Sequence, residues 1–237
     1  MKKQLIFFIV TAFCFYEGRS QDKGIPYDYP VKPGTREWRS LKSHDEMVKA
    51  CQLPLNSIRS LKTSDLLQTC LTYPLSMDLM AFSNLKDGFA KTFNDFNGYQ
   101  ELKTRSDIGS AFLEMFSKIS LDEINVQPNN TLKGNFTILV SLMEIMASDD
   151  RILSKLSSKQ QISLSKKVLD NMPLKEKYSE HFGTLGKYTS AFLLANILVS
   201  REKVTLKVDD KIIQFANTMQ LSNEKTIDDI VRYSKND

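Results

Sequence analysis

Apolar residues recur every three or four positions along most of the chain, the spacing that places side chains on one face of an α-helix. Five such stripes start at Leu85, Ile108, Ile138, Ile212 and Ile227. Between residues 191 and 199 the segment AFLLANILV is apolar around nearly its whole circumference, which predicts a central helix covered on every side. Only residues 204–208 alternate like a strand. The pattern as a whole predicts an all-α protein.

Polar residues beside these stripes predict where the helices begin and end. Ser43 followed by Glu46 matches a capping box, in which the serine hydroxyl accepts from the third helical N–H and the glutamate reaches back to the cap. Asn97 and Gly98 predict the end of the helix that starts at Leu85 and continues to Phe96. Three further serines are predicted N-caps: Ser148, Ser157 and Ser222.

An internal similarity bears on how the helices are arranged. The segments LKTSD at 61–65 and LKTRSD at 102–107 each lead into a predicted helix, and their aspartates lie 42 residues apart. Repeats of helical pairs have periods of about 40–47 residues, although serine and aspartate are common at any helix start. We expect an irregular stack of antiparallel helices, similar to an α-α superhelix, in a single domain over residues 35–237. The stretch 120–135 is rich in turn residues and favours a loop or a subdomain boundary.

The first twenty residues have the pattern of a secretory signal peptide. A basic start is followed by an apolar run over residues 5–16 and by small residues before a cleavage point after Ser20. The run is too short for a membrane span, which needs about 20 residues. Cys14 follows an aromatic residue where a lipoprotein signal would have a small one, so the sequence disfavours lipid anchoring. We expect a mature protein that begins near Gln21, has no membrane span and is exported to the periplasm or the medium.

Residues 21–34 contain three prolines and two tyrosines, a composition that excludes a helix and predicts an extended arm on the surface. Trp38, the sole tryptophan, follows the arm. Its ring either pins the arm to the first helix or is an exposed anchor for a partner, since tryptophan and tyrosine dominate interface hot spots. The candidate binding residues are therefore Tyr27, Tyr29 and Trp38.

The charge balance limits the class of partner. The full chain carries a formal net charge of +4, and removal of residues 1–20 leaves +2 with no dense basic tract. Nucleic-acid binding requires a clustered positive surface, which this sequence lacks. The sequence therefore favours a protein or an envelope component as partner and does not predict an oligomeric state.

Two cysteines, Cys51 and Cys70, remain after the leader, and both lie among apolar residues. Exported proteins commonly form disulfides, and free cysteine is among the most buried residue types. The sequence predicts either one disulfide between them or two core thiols.

Residue types that carry catalysis or bind metals do not come together at useful spacings. His44, Asp45 and Glu46 are consecutive, so a helix would point them about 100° apart, away from a shared ion. Gly183 and Gly186 lack the lysine and hydroxyl spacing of a phosphate loop. Adjacent acidic pairs fall at predicted helix starts, where carboxylates are favourable: 149–150, 209–210 and 228–229. The sequence predicts no catalytic residue, no metal site and no cofactor.

Two segments resemble an uncharacterised family of secreted bacterial proteins. The first is Pro-Gly-Thr-x-x-Trp at 33–38, and the second is Ser-His-x-Glu-Met-Val-x-Ala-Cys-Gln at 43–52. With the segments that follow, the similarity covers residues 29–116. The resemblance implies a bacterial, exported origin, and it carries over no activity and no catalytic residue.

Three functions are consistent with these observations. The first is an exported all-helical interaction module that binds a protein or an envelope component. The second is a hydrolase, which would bring several titratable groups together in a cleft. The third is a structural envelope protein that oligomerises through apolar helix faces.

Overall fold

The computed structural model describes residues 25–202 and 208–236. Within these ranges the protein is all-α, with thirteen α-helices, two 3-10 helices and no strand, which confirms the predicted fold class. Three predicted features lie outside the described residues: the signal peptide of residues 1–20, the first four residues of the arm, and residues 204–207 of the strand-like segment 204–208.

The chain divides into two compact units, and the division falls between Arg105 and Ser106. The stretch 120–135, which the sequence favours as a boundary, lies inside the second unit. It is largely helical rather than a loop, because Leu121 and Ile124 are buried in a small core with Phe136. Apolar contacts thus order a segment whose composition is typical of a turn.

The first unit contains short helices around an aromatic core. Five rings pack with centroids 4.2–5.5 Å apart: Tyr73, Phe89, Phe93, Phe96 and Tyr99. The helices are α1 (Arg36–Ser40), α2 (His44–Ala50), α3 (Leu55–Ser60), α4 (Thr63–Leu71), the 3-10 helix Ser76–Ala81, α5 (Leu85–Asn94) and α6 (Asn97–Leu102). Helix α4 ends shortly before Pro74 because the residue before a proline disfavours helical backbone angles.

Two helix boundaries in this unit differ from prediction. The predicted helix from Leu85 to Phe96 ends at Asn94, and Asn97 and Gly98 begin α6 instead of ending a helix. The reason is tertiary: the Asn97 side chain accepts from the Leu53 N–H at 2.9 Å and donates to the Leu53 carbonyl at 2.8 Å. These long-range bonds hold the turn and let a new helix start there.

The predicted cap at Ser43 is confirmed, with one difference. The Ser43 hydroxyl accepts from the Glu46 N–H at 3.2 Å, as the capping box requires. The Glu46 carboxylate reaches one residue further back than predicted and accepts from the Lys42 N–H at 2.7 Å. The helix start is therefore stabilised by both side chains without a reciprocal box.

The second unit is built around one central helix. Its helices are α7 (Ile108–Lys118), the 3-10 helix Leu121–Val126, α8 (Asn130–Ala147), α9 (Asp150–Leu153), α10 (Ser158–Lys177), α11 (Ser179–Glu202), α12 (Asp210–Thr218) and α13 (Lys225–Lys235). Helix α11 packs against α8, α10, α12 and α13. All residues from Ala191 to Leu198 are buried except the half-buried Asn196, which confirms the predicted central helix.

Of the three further serine caps, only Ser157 is confirmed. It forms a capping box with Gln160 at the start of α10. Ser148 instead ends α8, because the adjacent Asp149 caps α9, and Ser222 lies two residues before the N-cap of α13, Glu224. No helix within the described ranges is long and apolar enough to cross a membrane.

Helix α11 is interrupted near its start. Gly183 has φ 52° and ψ −155°, a conformation that residues with a side chain rarely adopt. The break separates the first turn of α11 from the rest of the helix.

Candidate functional site

Tyr29, one of the three predicted binding residues, lies in the core of the first unit. Its ring centroid is 6.5 Å from those of Tyr73 and Phe96, and its hydroxyl donates to the Thr69 carbonyl at 3.1 Å. Burial raises the pKa of Tyr29 well above its usual range. Tyr29 therefore fastens the described part of the arm to α4 and presents no surface to a partner.

Tyr27 is half-buried beside it. Its backbone N–H donates to the Thr69 hydroxyl at 2.9 Å, and its ring packs edge-on against Tyr29 at 5.3 Å. Thr69 therefore bonds to both tyrosines of the arm. Its hydroxyl accepts from the Tyr27 N–H, and its carbonyl accepts from the Tyr29 hydroxyl. The described residues 25–34 are assigned to no helix.

Replacement of Tyr29 by phenylalanine is expected to lower the free energy of unfolding by about 1 kcal/mol, because the Thr69 carbonyl loses its buried donor. The tyrosine is expected to ionise above pH 10 only in the unfolded protein, so its contribution is complete below pH 10 and falls above it. Urea unfolding at pH 7 and pH 10.5 measures both effects.

The matched control is Tyr27→Phe, since Tyr27 is held through its backbone N–H. We expect it to change the free energy of unfolding by less than about 0.5 kcal/mol. A Tyr29→Phe variant that is as stable as its Tyr27→Phe counterpart would show that the arm is not fastened at Thr69.

Trp38 occupies a different environment from the two tyrosines. It lies on α1, a helix that buries no residue, and its ring is half-buried. The Trp38 N–H donates to the Thr35 hydroxyl at 3.2 Å, which caps the helix. The ring retains exposed surface, so the structure leaves Trp38 accessible to a partner.

The exposed apolar residues of the first unit concentrate on its 3-10 helix. Three side chains within six residues are exposed to solvent there: Met77 at 38%, Met80 at 48% and Phe82 at 43% of their full accessible surface. We call these three residues the Met-Phe patch. Ile25 and Leu55 are also exposed in this unit, whereas the described part of the second unit exposes Val126 and Ile162. The sequence does not predict the patch, because no helical period marks these three positions.

A close backbone contact holds the 3-10 helix in this orientation. Gly88 of α5 packs on Leu79, and a Cβ at Gly88 would come within 2.3 Å of the Leu79 carbonyl oxygen. Leu79 is buried, so the contact turns the neighbouring methionines outward. His44 Nε2 and Asp78 Oδ2 add a hydrogen bond of 2.8 Å between α2 and the 3-10 helix. Several contacts thus position the patch on a fixed support.

Cys51 and Cys70 are both free thiols with no exposed surface. Burial raises the pKa of Cys51 to about 12 and that of Cys70 well above its ordinary value. A thiol with such a pKa is a poor nucleophile at neutral pH, because the thiolate is the reactive form. The structure corresponds to the second of the two predicted alternatives, two core thiols.

The second unit contains a buried polar cluster that the sequence analysis missed. Lys175 Nζ lies 2.6 Å from Glu144 Oε2 and donates to Ser190 Oγ at 2.9 Å and to the Gly186 carbonyl at 3.1 Å. The hydroxyls of Thr189 and Ser190 donate to the Glu144 carboxylate at 2.5 and 2.8 Å. The cluster therefore links side chains of α8, α10 and α11 and one backbone carbonyl of α11.

The same cluster has the composition of a serine and lysine pair for nucleophilic catalysis. However, Glu144 is 0% exposed and Lys175 3%, and Ser190 is fully buried, so a substrate has no surface on which to reach the hydroxyl. Burial lowers the pKa of Lys175, and the Glu144 carboxylate opposes that shift. The arrangement supports a structural role: an ion pair that joins α8, α10 and α11.

The other residues considered for catalysis or metal binding do not converge on a common site among the described residues. His181 pairs with Glu180 at 2.9 Å, and Asp149 and Asp209 cap α9 and α12 as the helix-start interpretation predicts. Among the described residues, no group of three histidine, cysteine, aspartate or glutamate side chains is placed to hold a metal ion.

The chain was compared with models of protein families, with curated proteins and with solved structures, and none of the three comparisons finds a match.

Proposed function

We propose that this protein is an exported, all-helical interaction module that binds a partner protein through the Met-Phe patch. The observation that carries the proposal is the exposure of Met77, Met80 and Phe82 on one short segment. Three exposed apolar side chains within six residues favour an interaction site, because large exposed apolar patches mark such sites. Methionine adapts to irregular partner surfaces, and aromatic residues and methionine are enriched in protein interfaces.

Two features of the sequence support export. The leader over residues 1–20 has the pattern of a signal peptide, and residues 29–116 resemble a family of secreted bacterial proteins. The partner is therefore sought in the cell envelope. Trp38, with its half-exposed ring, is a second candidate contact for the same partner.

The two alternative functions have less support. A hydrolase would need titratable groups that converge in an accessible cleft. Ser190 and Lys175 of the second unit are buried instead, so a substrate cannot reach them. A structural envelope protein would use the same apolar patch, but its partner would be a second copy of this chain. The identity of the captured protein separates that alternative from the proposal.

The test uses the chain from Gln21 to Asp237 with a photo-reactive benzoyl-phenylalanine in place of Met80. Crosslinking in envelope extract is expected to give one dominant adduct of a different protein. The same probe in place of Val126, an exposed apolar residue of the second unit, is the matched control and is expected to give none. An adduct with a second copy would favour the structural alternative.

Affinity for the crosslinked partner is then measured with purified proteins. Replacement of all three patch residues by glutamine is expected to weaken binding at least tenfold, because truncated interface anchors each cost about 2 kcal/mol or more. The control, Val126→Gln with Ile162→Gln, is expected to bind like the unmodified chain. Equal affinity of a folded patch variant and the control would contradict the proposal.

A further inference from the structure

The two methionines of the Met-Phe patch differ from the other methionines in their exposure. The chain has nine methionines, and eight of them lie in the described ranges. Met77 and Met80 are exposed at 38% and 48%, and the other described methionines are half-buried or buried. Three of them lie in the core: Met143, Met146 and Met219. Because oxidation of sulfur follows exposure, an oxidant in solution reaches Met77 and Met80 first.

The two cysteines do not compete for such an oxidant. Cys51 and Cys70 are free thiols with no exposed surface. Burial also raises the pKa of both thiols, and oxidants attack the thiolate rather than the thiol. Among the sulfur-containing residues that the structure describes, the patch methionines are therefore the most accessible.

The position of the patch allows it to be oxidised without loss of the fold. Ser76 and Leu79 are the buried residues of the 3-10 helix, and Met77 and Met80 face the solvent beside them. A sulfoxide oxygen on an exposed side chain stays hydrated, so it adds no unsatisfied polar group to the core. The same oxygen on Met143 would lie in the core. Oxidation of the patch thus changes the surface and leaves the packing intact.

We propose that Met77 and Met80 form an oxidation-sensitive switch, at which conversion to methionine sulfoxide weakens binding of the partner. The inference rests on the proposed function, because both concern the same surface. The oxidant is a peroxide: the sulfur lone pair attacks one peroxide oxygen, the O–O bond breaks, an S–O bond forms and water is released. The sulfur is oxidised and the peroxide is reduced. Methionine sulfoxide is polar and chiral, so it disrupts interfaces that are rich in methionine.

The first experiment measures the selectivity of oxidation and needs no partner. The folded chain from Gln21 to Asp237 is treated with hydrogen peroxide, and peptide mass spectrometry follows each methionine with time. Met77 and Met80 are expected to oxidise at least about tenfold faster than Met143 and Met146, because the rate follows exposure. In urea all four rates should become similar. Equal rates in the folded chain would overturn the proposal.

The second experiment measures affinity for the crosslinked partner before and after oxidation. The chain alone is treated, and peroxide is removed before mixing, so that the partner stays reduced. Oxidation is expected to weaken binding at least about tenfold, because apolar interface anchors are lost. The two methionine sulfoxide reductases, each specific for one sulfoxide epimer, should restore it. Unchanged affinity of a folded chain oxidised at Met77 and Met80 would contradict the switch.

Leucine variants assign the effect to the patch sulfur atoms. Met77→Leu with Met80→Leu keeps an apolar surface of similar volume, so it is expected to bind like the unmodified chain and to keep its affinity after peroxide. The matched control, Met47→Leu with Met172→Leu, changes two half-buried methionines and is expected to stay sensitive to peroxide. A patch variant that lost affinity after peroxide as the control does would show that the sensitivity lies elsewhere.

The glutamine replacement of all three patch residues separates this inference from the proposed function. If that variant bound as tightly as the unmodified chain, the proposed function would be wrong and the switch with it. If the glutamine variant lost affinity while the oxidised chain kept it, only the switch would be wrong. The proposal is supported when both lose affinity and the leucine variant, after peroxide, does not.

Discussion

Replacement of Glu144 by leucine is expected to lower the free energy of unfolding by about 3–5 kcal/mol, the usual cost of leaving one member of a buried ion pair without its partner. Lys175 is 3% exposed, so its ammonium group cannot turn to water. Two hydroxyls, those of Thr189 and Ser190, lose their acceptor in the same change. For a protein of this size, the melting temperature should fall by roughly 6–20 °C.

The double variant Glu144→Leu with Lys175→Met separates the charge effect from simple loss of contact. Apolar residues of similar volume often replace a buried pair without loss of stability, so we expect most of the free energy to return. The exposed pair of Glu114 and Lys118, 2.6 Å apart, is the control, and Glu114→Leu should cost less than about 1 kcal/mol. Thermal unfolding followed by circular dichroism measures all three. A double variant as unstable as Glu144→Leu would contradict this account.

Replacement of Gly88 by alanine is expected to destabilise the first unit by about 3 kcal/mol, the upper end of what overpacking costs. The new Cβ would lie 2.3 Å from the carbonyl oxygen of Leu79, and backbone atoms cannot move aside as a flexible side chain can. Either α5 or the 3-10 helix must shift. Because the Met-Phe patch is positioned by this contact, binding of the partner proposed above is expected to fall in the same variant.

Gly134 supplies the matched control for that substitution. It lies inside α8, and a Cβ there meets nothing within 4 Å. Alanine at this position is expected to stabilise the protein by about 0.5–1 kcal/mol, because glycine is the poorer helix former. Urea unfolding of both variants tests the pair. If Gly88→Ala were also stabilising, the close contact with Leu79 would be wrong.

The all-α class and most helix positions follow from local sequence. A cap such as Ser157 with Gln160 involves only residues within four positions of one another, so it could be predicted. The start of α6 could not. Phe96 continues the apolar spacing of α5, and the chain turns there where Asn97 bonds to Leu53 and Gln52, 44 and 45 residues away.

The serine caps also show that local sequence does not fix the residue at which a helix starts, here for two neighbouring candidates. Ser148 and Asp149 are adjacent and both suit an N-cap, and the choice depends on where α8 ends. That end is set by packing of the long helix against α11, which the residues around the cap do not encode. Local patterns therefore predict that a helix starts, and tertiary contacts decide at which residue.

The candidate sites were less predictable than the fold. Glu144 lies among apolar residues from Val140 to Ala147, and a charge in such a run requires a buried partner. Its partner, Lys175, is 31 residues away, and no local pattern identifies it. The Met-Phe patch depends on the outward orientation of a 3-10 helix, whose short turns have no amphipathic period to detect.

The central run from residue 191 to 199 carries no charge and no proline, and the folded second unit covers it. Apolar segments of this kind associate with one another when a protein opens, so the unfolded chain is prone to aggregate. The ion pair of Glu144 and Lys175, through its bonds to Ser190, ties α11, the helix that carries this run, to α8 and α10. Glu144 and Lys175 therefore also favour solubility: by stabilising the folded state, they lower the fraction of molecules that expose residues 191–199 and can aggregate.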